Sequence, residues 1–175
     1  MAERILQEIA EQNKLLTIAQ INKNTEEKAE AYYNLGGAYC FLGDFHRAIK
    51  YLKQYLSIAE EAGDRAGQGN SFEVLGNIYL NLGEYQRAIE YSNKCLIIAK
   101  EDGNRALEGE AYSDLGETYY ELKDFRQAME CHKKHLNIAE EVGDRKGKGK
   151  QSRDCYMHIL NLLCYRLPQQ CSGIV

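Results

Sequence analysis

Several side chains stand at spacings that could do chemistry. Cys131 and His135 lie four residues apart with His132 beside Cys131, and that spacing sets two ligands on one face of a helix. A zinc site needs about two more ligands, and none stands at a matching distance, so no metal is expected. Gly143-Asp144-Arg145-Lys146-Gly147-Lys148-Gly149 has the look of a phosphate loop. It lacks the four-residue spacer and the final Ser or Thr that such a loop needs. The basic run Arg145, Lys146, Lys148, Lys150 and Arg153 reads as a solvated helix start. Cys171 is fifth from the end and so is not a prenylation box. The terminal Ser172-Gly173-Ile174-Val175 resembles a PDZ ligand only in its last residue. No Ser/His/acid or Cys/His set converges, and the carboxylates spread over helical surface. Catalysis needs a dry, pre-organised site, so the chain reads as a non-enzyme without cofactors.

Composition narrows the classes further. The 175 residues carry 22 Lys and Arg against 26 Asp and Glu, a net charge of −4. A protein that grips phosphates would be basic, so nucleic acid is not expected as a partner. A hydrophobic share of 44% argues against global disorder. The most apolar run, 156–167, is broken by His158, Asn161 and Arg166 and is too short to span a membrane. The six cysteines follow no disulfide or metal spacing, and the start lacks the pattern of a secretory signal. These features point to a reduced, cytoplasmic, soluble protein with no membrane partner.

The elements that position these residues repeat. At a spacing of forty, Leu35, Leu75 and Leu115 align, as do Gly36, Gly76 and Gly116, and Tyr39, Tyr79 and Tyr119. Ala48, Ala88 and Ala128 follow, then Leu56, Leu96 and Leu136, and then Gly63, Gly103 and Gly143. No insertion is needed. Each unit reads as two helices. In the second unit, helix A covers roughly 66–81, with Phe72, Leu75, Gly76 and Tyr79 forming one stripe, and helix B covers roughly 85–101. Gly83 suits the left-handed residue after helix A, and Gly103 followed by Asn104 closes helix B and caps the next helix. Lys123 replaces glycine in the third unit, so that turn is expected to be remodelled. The mid-helix glycines each cost about 1 kcal/mol against alanine. Ala48, Ala88 and Ala128 are expected to face them, so that the two backbones approach closely.

Tyr32-x2-Leu35-Gly36-x2-Tyr39, Phe72-x2-Leu75-Gly76-x2-Tyr79 and Tyr112-x2-Leu115-Gly116-x2-Tyr119, each followed by the alanine of helix B, resemble the tetratricopeptide repeat (TPR). The likeness covers about residues 15–150. The forty-residue period exceeds the commonest TPR period of about 34, and the usual turn proline is absent. In both respects the sequence resembles the Leu-Gly-Asn-repeat G-protein-signalling modulators and large multi-TPR scaffold proteins. The resemblance implies an all-α, right-handed α-solenoid of helix-turn-helix hairpins with a cap helix at each end. Residues 1–24 would be an N-terminal cap equivalent to a helix B. Residues 25–146 would hold three units, at about 25–64, 65–104 and 105–146. Residues 147–175 would be a diverged C-terminal helix and tail. Cys155, Tyr156, Ile159, Leu160, Leu162, Leu163 and Leu167 wrap around more than one face of that helix, which suggests a partner or self-association.

The resemblance also implies where a ligand would bind. Groove positions on the A helices would be Glu30, Tyr33, Gly37 and Phe41, then Asn70, Glu73, Asn77 and Asn81, then Glu110, Ser113, Glu117 and Glu121. They include five carboxylates and no Lys or Arg. The asparagines offer both donor and acceptor to a peptide backbone, and Tyr33 and Phe41 offer an apolar anchor. The expected function is a scaffold or adaptor module binding a protein or peptide, preferentially a basic one. The chaperone-tail clamp of Lys, Asn and Arg maps onto Tyr33, Gly37, Val74, Glu110 and Asp114, and none matches. Self-assembly through the C-terminal helix, or a regulatory fragment of a larger protein, are the alternatives.

Overall fold

The computed structural model describes residues 2–143. They form α1 (Ala2–Asn22), α2 (Thr25–Phe41), α3 (Phe45–Ala62), α4 (Arg65–Asn81), α5 (Tyr85–Glu101), α6 (Arg105–Glu121) and α7 (Phe125–Val142). No strand occurs among the described residues. The helix expected over 147–166, and the association expected of it, lie outside the described residues.

The chain stops and restarts its helices by local chemistry. Asn24, Asp44, Asp64, Asn104 and Asp124 each accept a hydrogen bond from a backbone N–H of the following first turn, which satisfies donors that a helix start leaves open. Glu84, at the same place before α5, makes no such side-chain bond. Within each hairpin the turn is closed by one long-reach backbone bond. Asp44 N donates to Tyr39 O, Glu84 N to Tyr79 O and Asp124 N to Tyr119 O, each at 2.9 Å. Gly43 and Gly83 take φ +72°, and Lys123 takes φ +63°. The turn at Lys123 is therefore not remodelled, against expectation. The lysine adopts the left-handed conformation, because the bonds on either side hold it there at a cost of about 1–2 kcal/mol.

The helices then stack in order: α1 on α2, α2 on α3, and so on to α6 on α7. In addition α4 packs directly on α6, a closeness that no pair of B helices matches. The A helices α2, α4 and α6 thus line the inner, concave side of an all-α solenoid. An A helix lies between neighbours and is buried around much of its circumference: α4 buries Gly67, Gly69, Ser71, Phe72, Leu75, Gly76, Ile78 and Tyr79. A B helix buries one stripe, as α3 does with Ala48, Leu52, Leu56 and Ala59.

Each hairpin interior holds the repeated residues. Leu35, Leu75, Ala48, Ala88 and Ala128 have no exposed surface. Tyr39 stacks on Tyr51 at 5.5 Å between ring centroids, and Tyr79 on Tyr91 at 5.3 Å. In the third unit Cys131 replaces the second ring of that pair. The mid-helix glycines are not faced mainly by the alanines. A Cβ on Gly36 would meet the Leu52 side chain at 2.8 Å, one on Gly76 the Ser92 Oγ at 2.8 Å, and one on Gly116 the His132 ring at 2.6 Å. Only in the second unit does an alanine contribute, through the Ala88 carbonyl at 3.7 Å. The facing residue lies one helical turn beyond the alanine because the two helices meet there. It is the variable Leu52, Ser92 or His132.

α1 packs on α2 through Ile9 and Leu16, both buried. Its outer side leaves Leu6, Leu15, Ile18 and Ile21 exposed.

Candidate functional site

The concave side carries three cavities in sequence along the A helices. The first, about 300 Å³, is lined by Tyr33, Gly37 and Phe41 of α2, Ile5 and Glu8 of α1 and Val74 of α4. Phe41 is 85% exposed, so it is not part of the core. The second, about 280 Å³, lies between α4 and α6. Glu73 and Asn77 line it from α4, Glu110, Ser113, Asp114 and Glu117 from α6, and His135 from α7. The third, about 770 Å³, shares Asn77 and Glu117 with the second and adds Asn81, Glu121, Tyr120 and His132, together with Leu82 and Gly83 of the α4–α5 turn and Tyr85 of α5.

The helical period explains this grouping. Glu73, Asn77 and Asn81 recur every four residues on α4, and Glu110, Ser113, Glu117 and Glu121 follow one face of α6. The structure therefore brings Glu73, Asn77, Asn81, Glu110, Glu117 and Glu121 to two adjoining cavities, and Tyr33 and Phe41 to another. Glu30 and Asn70 sit near the starts of α2 and α4, are exposed, and line none of the three.

Polar contacts hold the middle cavity in shape. Asn77 Nδ2 donates to Asp114 Oδ1 at 3.1 Å, bridging α4 to α6, and Asn81 Nδ2 donates to the Asn77 carbonyl at 2.8 Å. Burial, reinforced by the neighbouring Glu121, raises the Glu117 carboxyl above its ordinary range. Nδ1 of His135 lies 2.6 Å from the Gly109 carbonyl oxygen. A carbonyl only accepts, so Nδ1 carries the hydrogen and donates it.

Cys95 and Cys131 are held as thiols. Burial pushes Cys95 up to about 12 and Cys131 up to about 11, so neither forms the reactive thiolate near neutral pH. His132 is buried against Gly116, and burial pulls its pKa down to about 4. Among the described residues no three His, Cys, Asp or Glu side chains converge as a metal site requires. No described helix is long and apolar enough to cross a membrane.

Sequence reasoning did not place His135 at the site. Its position aligns with Tyr55 and Cys95 on the B helices, and nothing in that pattern shows a B-helix side chain reaching the concave face. Asp114 entered only through the chaperone-clamp positions. Its one-residue offset from Ser113 was the available signal.

Residues 68–141 match a family model described as Tetratricopeptide repeat, and residues 29–61 match a second with the same description. No curated protein matches the chain in sequence. Among solved structures, the chain is similar to the apo form of RapI at TM-score 0.84 and 18% identity, covering 93% of this chain and 45% of that one. It is similar to BtubC from P. vanneervenii at TM-score 0.71 and 21% identity, covering 79% and 57%. It is also similar to aspartyl phosphate phosphatase F from Bacillus subtilis at TM-score 0.67 and 16% identity, covering 93% and 48%. The chain spans about half the length of these structures, and at such identities the likeness concerns the fold.

Proposed function

The chain belongs to the tetratricopeptide repeat family, and from that premise we propose that it is a non-catalytic interaction module holding a partner peptide along α2, α4 and α6. The observation that carries this reading is the run of three cavities along α2, α4 and α6, each lined mainly by A-helix side chains. A groove of this kind suits an extended or helical segment. Tyr33 and Phe41 would anchor an apolar residue at one end, and Asn77 and Asn81 would bracket the peptide backbone. The carboxylates of α4 and α6 favour a ligand bearing Lys or Arg. The phosphatase among the similar folds bears on the fold alone.

The test is selection of a random peptide library against the full chain. Binders are then measured on wild type and on a Phe41→Lys, Asn81→Lys variant. Both residues are exposed and lie outside the carboxylate cavity. The substitutions should leave stability within about 0.5 kcal/mol and weaken selected peptides at least tenfold. Peptides that bind both proteins equally would move the interface off the concave face.

A further inference from the structure

Two positions on α1 behave unlike their equivalents elsewhere in the array. In the forty-residue register Ile18 corresponds to Ile58, Ile98 and Ile138, and Leu15 to Tyr55, Cys95 and His135. Ile98 and Ile138 are 7% and 5% exposed, and Cys95 and His135 are buried. Ile18 is 50% exposed and Leu15 46%. The structure shows what covers the later B helices. A Cβ on Gly69 would come within 3.3 Å of Ile98, and one on Gly109 within 3.2 Å of Ile138. Each isoleucine thus lies against a glycine of the A helix in its own hairpin, where the close approach leaves little room for a side chain. In the first unit Ala29 takes that place, and Ile58 is only partly buried. α1 keeps the isoleucine, but its packing among the described residues is on α2, through Ile9 and Leu16.

The sequence carries a matching piece elsewhere. Gly149 stands forty residues after Gly109 and eighty after Gly69. Arg145 likewise continues Arg65 and Arg105, and Gly147 continues Gly67. Residues 144–175 lie outside the described part. Their sequence nevertheless holds the first half of an A unit, with the glycine that receives a B-helix isoleucine. The likeness stops there. Tyr156 replaces the signature glycine, and α1 has Glu8 and Gln12 in place of Ala48 and Leu52. Charge supports the pairing. Residues 144–175 carry six Lys and Arg against two Asp, although the whole chain carries 22 Lys and Arg against 26 Asp and Glu. The described helices are therefore acidic, and a basic segment is drawn to them.

We propose that the exposed side of α1 is a docking surface for residues 145–160 of a second copy of this chain, with Gly149 of that copy against Ile18. The segment follows α7, at the opposite end of the stack from α1, so the copy next in line supplies it. The contact continues the fit of Ile98 on Gly69 and of Ile138 on Gly109 across two chains. It is heterologous: every copy added leaves a free α1 at one end and a free segment at the other. The chains then grow in series instead of stopping at a pair. A contact confined to half a helix belongs with small, weak interfaces. The dilute chain is therefore monomeric with this face open, and association sets in at about 0.1–1 mM. The inference does not depend on what the concave groove binds.

Sedimentation equilibrium of the full chain at rising concentration, up to about 1 mM, tests it. Wild type should pass from monomer to dimer and beyond without a plateau. Ile18→Asp removes the α1 surface, and Gly149→Leu removes the surface that meets it. Each variant alone should stay monomeric with unchanged circular dichroism. Leucine favours a helix over glycine, so a loss with Gly149→Leu is not a loss of helix. An equimolar mixture of the two variants should form a dimer and stop there, because each supplies the surface that the other lacks. A wild type that stays monomeric throughout overturns the proposal. So does either variant associating as strongly as wild type, or a mixture that yields no dimer.

Discussion

His132 shows how one substitution inside a repeat changes the behaviour of the chain. Its position is Leu52 in the first unit and Ser92 in the second, and each faces the mid-helix glycine of its partner helix. The imidazole is 1% exposed, and its pKa falls to about 4. The unfolded chain takes up this proton near the ordinary value of about 6.5, and the folded chain does so only near 4. Between those values the unfolded state binds more protons. Stability is therefore fully present above about pH 6.5 and is lost as pH falls toward 4. The loss amounts to about 3 kcal/mol on the order of the shift. His132→Leu, which copies a side chain already seated against Gly36, should remove that part of the acid sensitivity. Urea midpoints at pH 7 and pH 5 for both proteins check it. A wild type and a variant that weaken in parallel would show that His132 does not drive the loss. Glu117 moves in the opposite sense. Its raised carboxyl means that the charged form strains the fold, so Glu117→Gln should melt slightly higher than wild type at neutral pH and no higher at pH 4.

Helix boundaries were the part of the fold most legible in the sequence. Gly, Asp and Asn punctuate every forty residues, and α5 has the limits 85–101 that those residues implied. The two departures are instructive. Lys123 keeps its turn, because backbone bonds from Lys123 and Asp124 to the end of α6 outweigh the left-handed penalty. Lys123→Gly should therefore raise stability by up to about 1 kcal/mol, less what is lost with the lysine over the Tyr120 ring at 5.4 Å. Glu84 has the backbone of a cap, with φ −85° and ψ 61°, close to the φ −83° and ψ 73° of Asp124. Its side chain is one methylene too long to fold back and instead pairs with Arg87 at 2.7 Å. Glu84→Asp should supply the missing cap and stabilise by about 1 kcal/mol. Thermal melts of the two variants, alone and combined, test both. The two sites are in different units, so their effects should add.

At the scale of the molecule, periodicity made the stacking order readable, but not the detail of how helices meet. The alanines were obvious partners for the glycines by residue type alone. The contact falls instead one turn later, where crossing geometry places Leu52, Ser92 and His132. Likewise the A-helix faces were legible from their spacing, while a reach from α7 to α6 was not, because it depends on His135 Nδ1 donating to the Gly109 carbonyl, a contact of one unit that the repeat pattern does not carry. The outer side of α1 bears a separate consequence. Leu15 and Ile18 are about half exposed, so Leu15→Gln with Ile18→Gln should change stability by no more than about 0.5 kcal/mol while lowering binding of a hydrophobic dye. A large loss of stability would mean that this face is covered in solution.

The packing of α4 on α6 also gives the concave face a metric. Neighbouring packed helices stand about 10 Å apart, and an extended chain advances about 3.3 Å per residue. The packed pair α4 and α6 therefore spans about one such step, or about 10 Å. An extended ligand crossing that pair would then spend about three residues on the step, and a helical one about seven, since a helix rises 1.5 Å per residue. For a ligand lying along the groove we propose, the forty-residue repeat would graduate a ruler, and the spacing of two of its side chains would be the length measured.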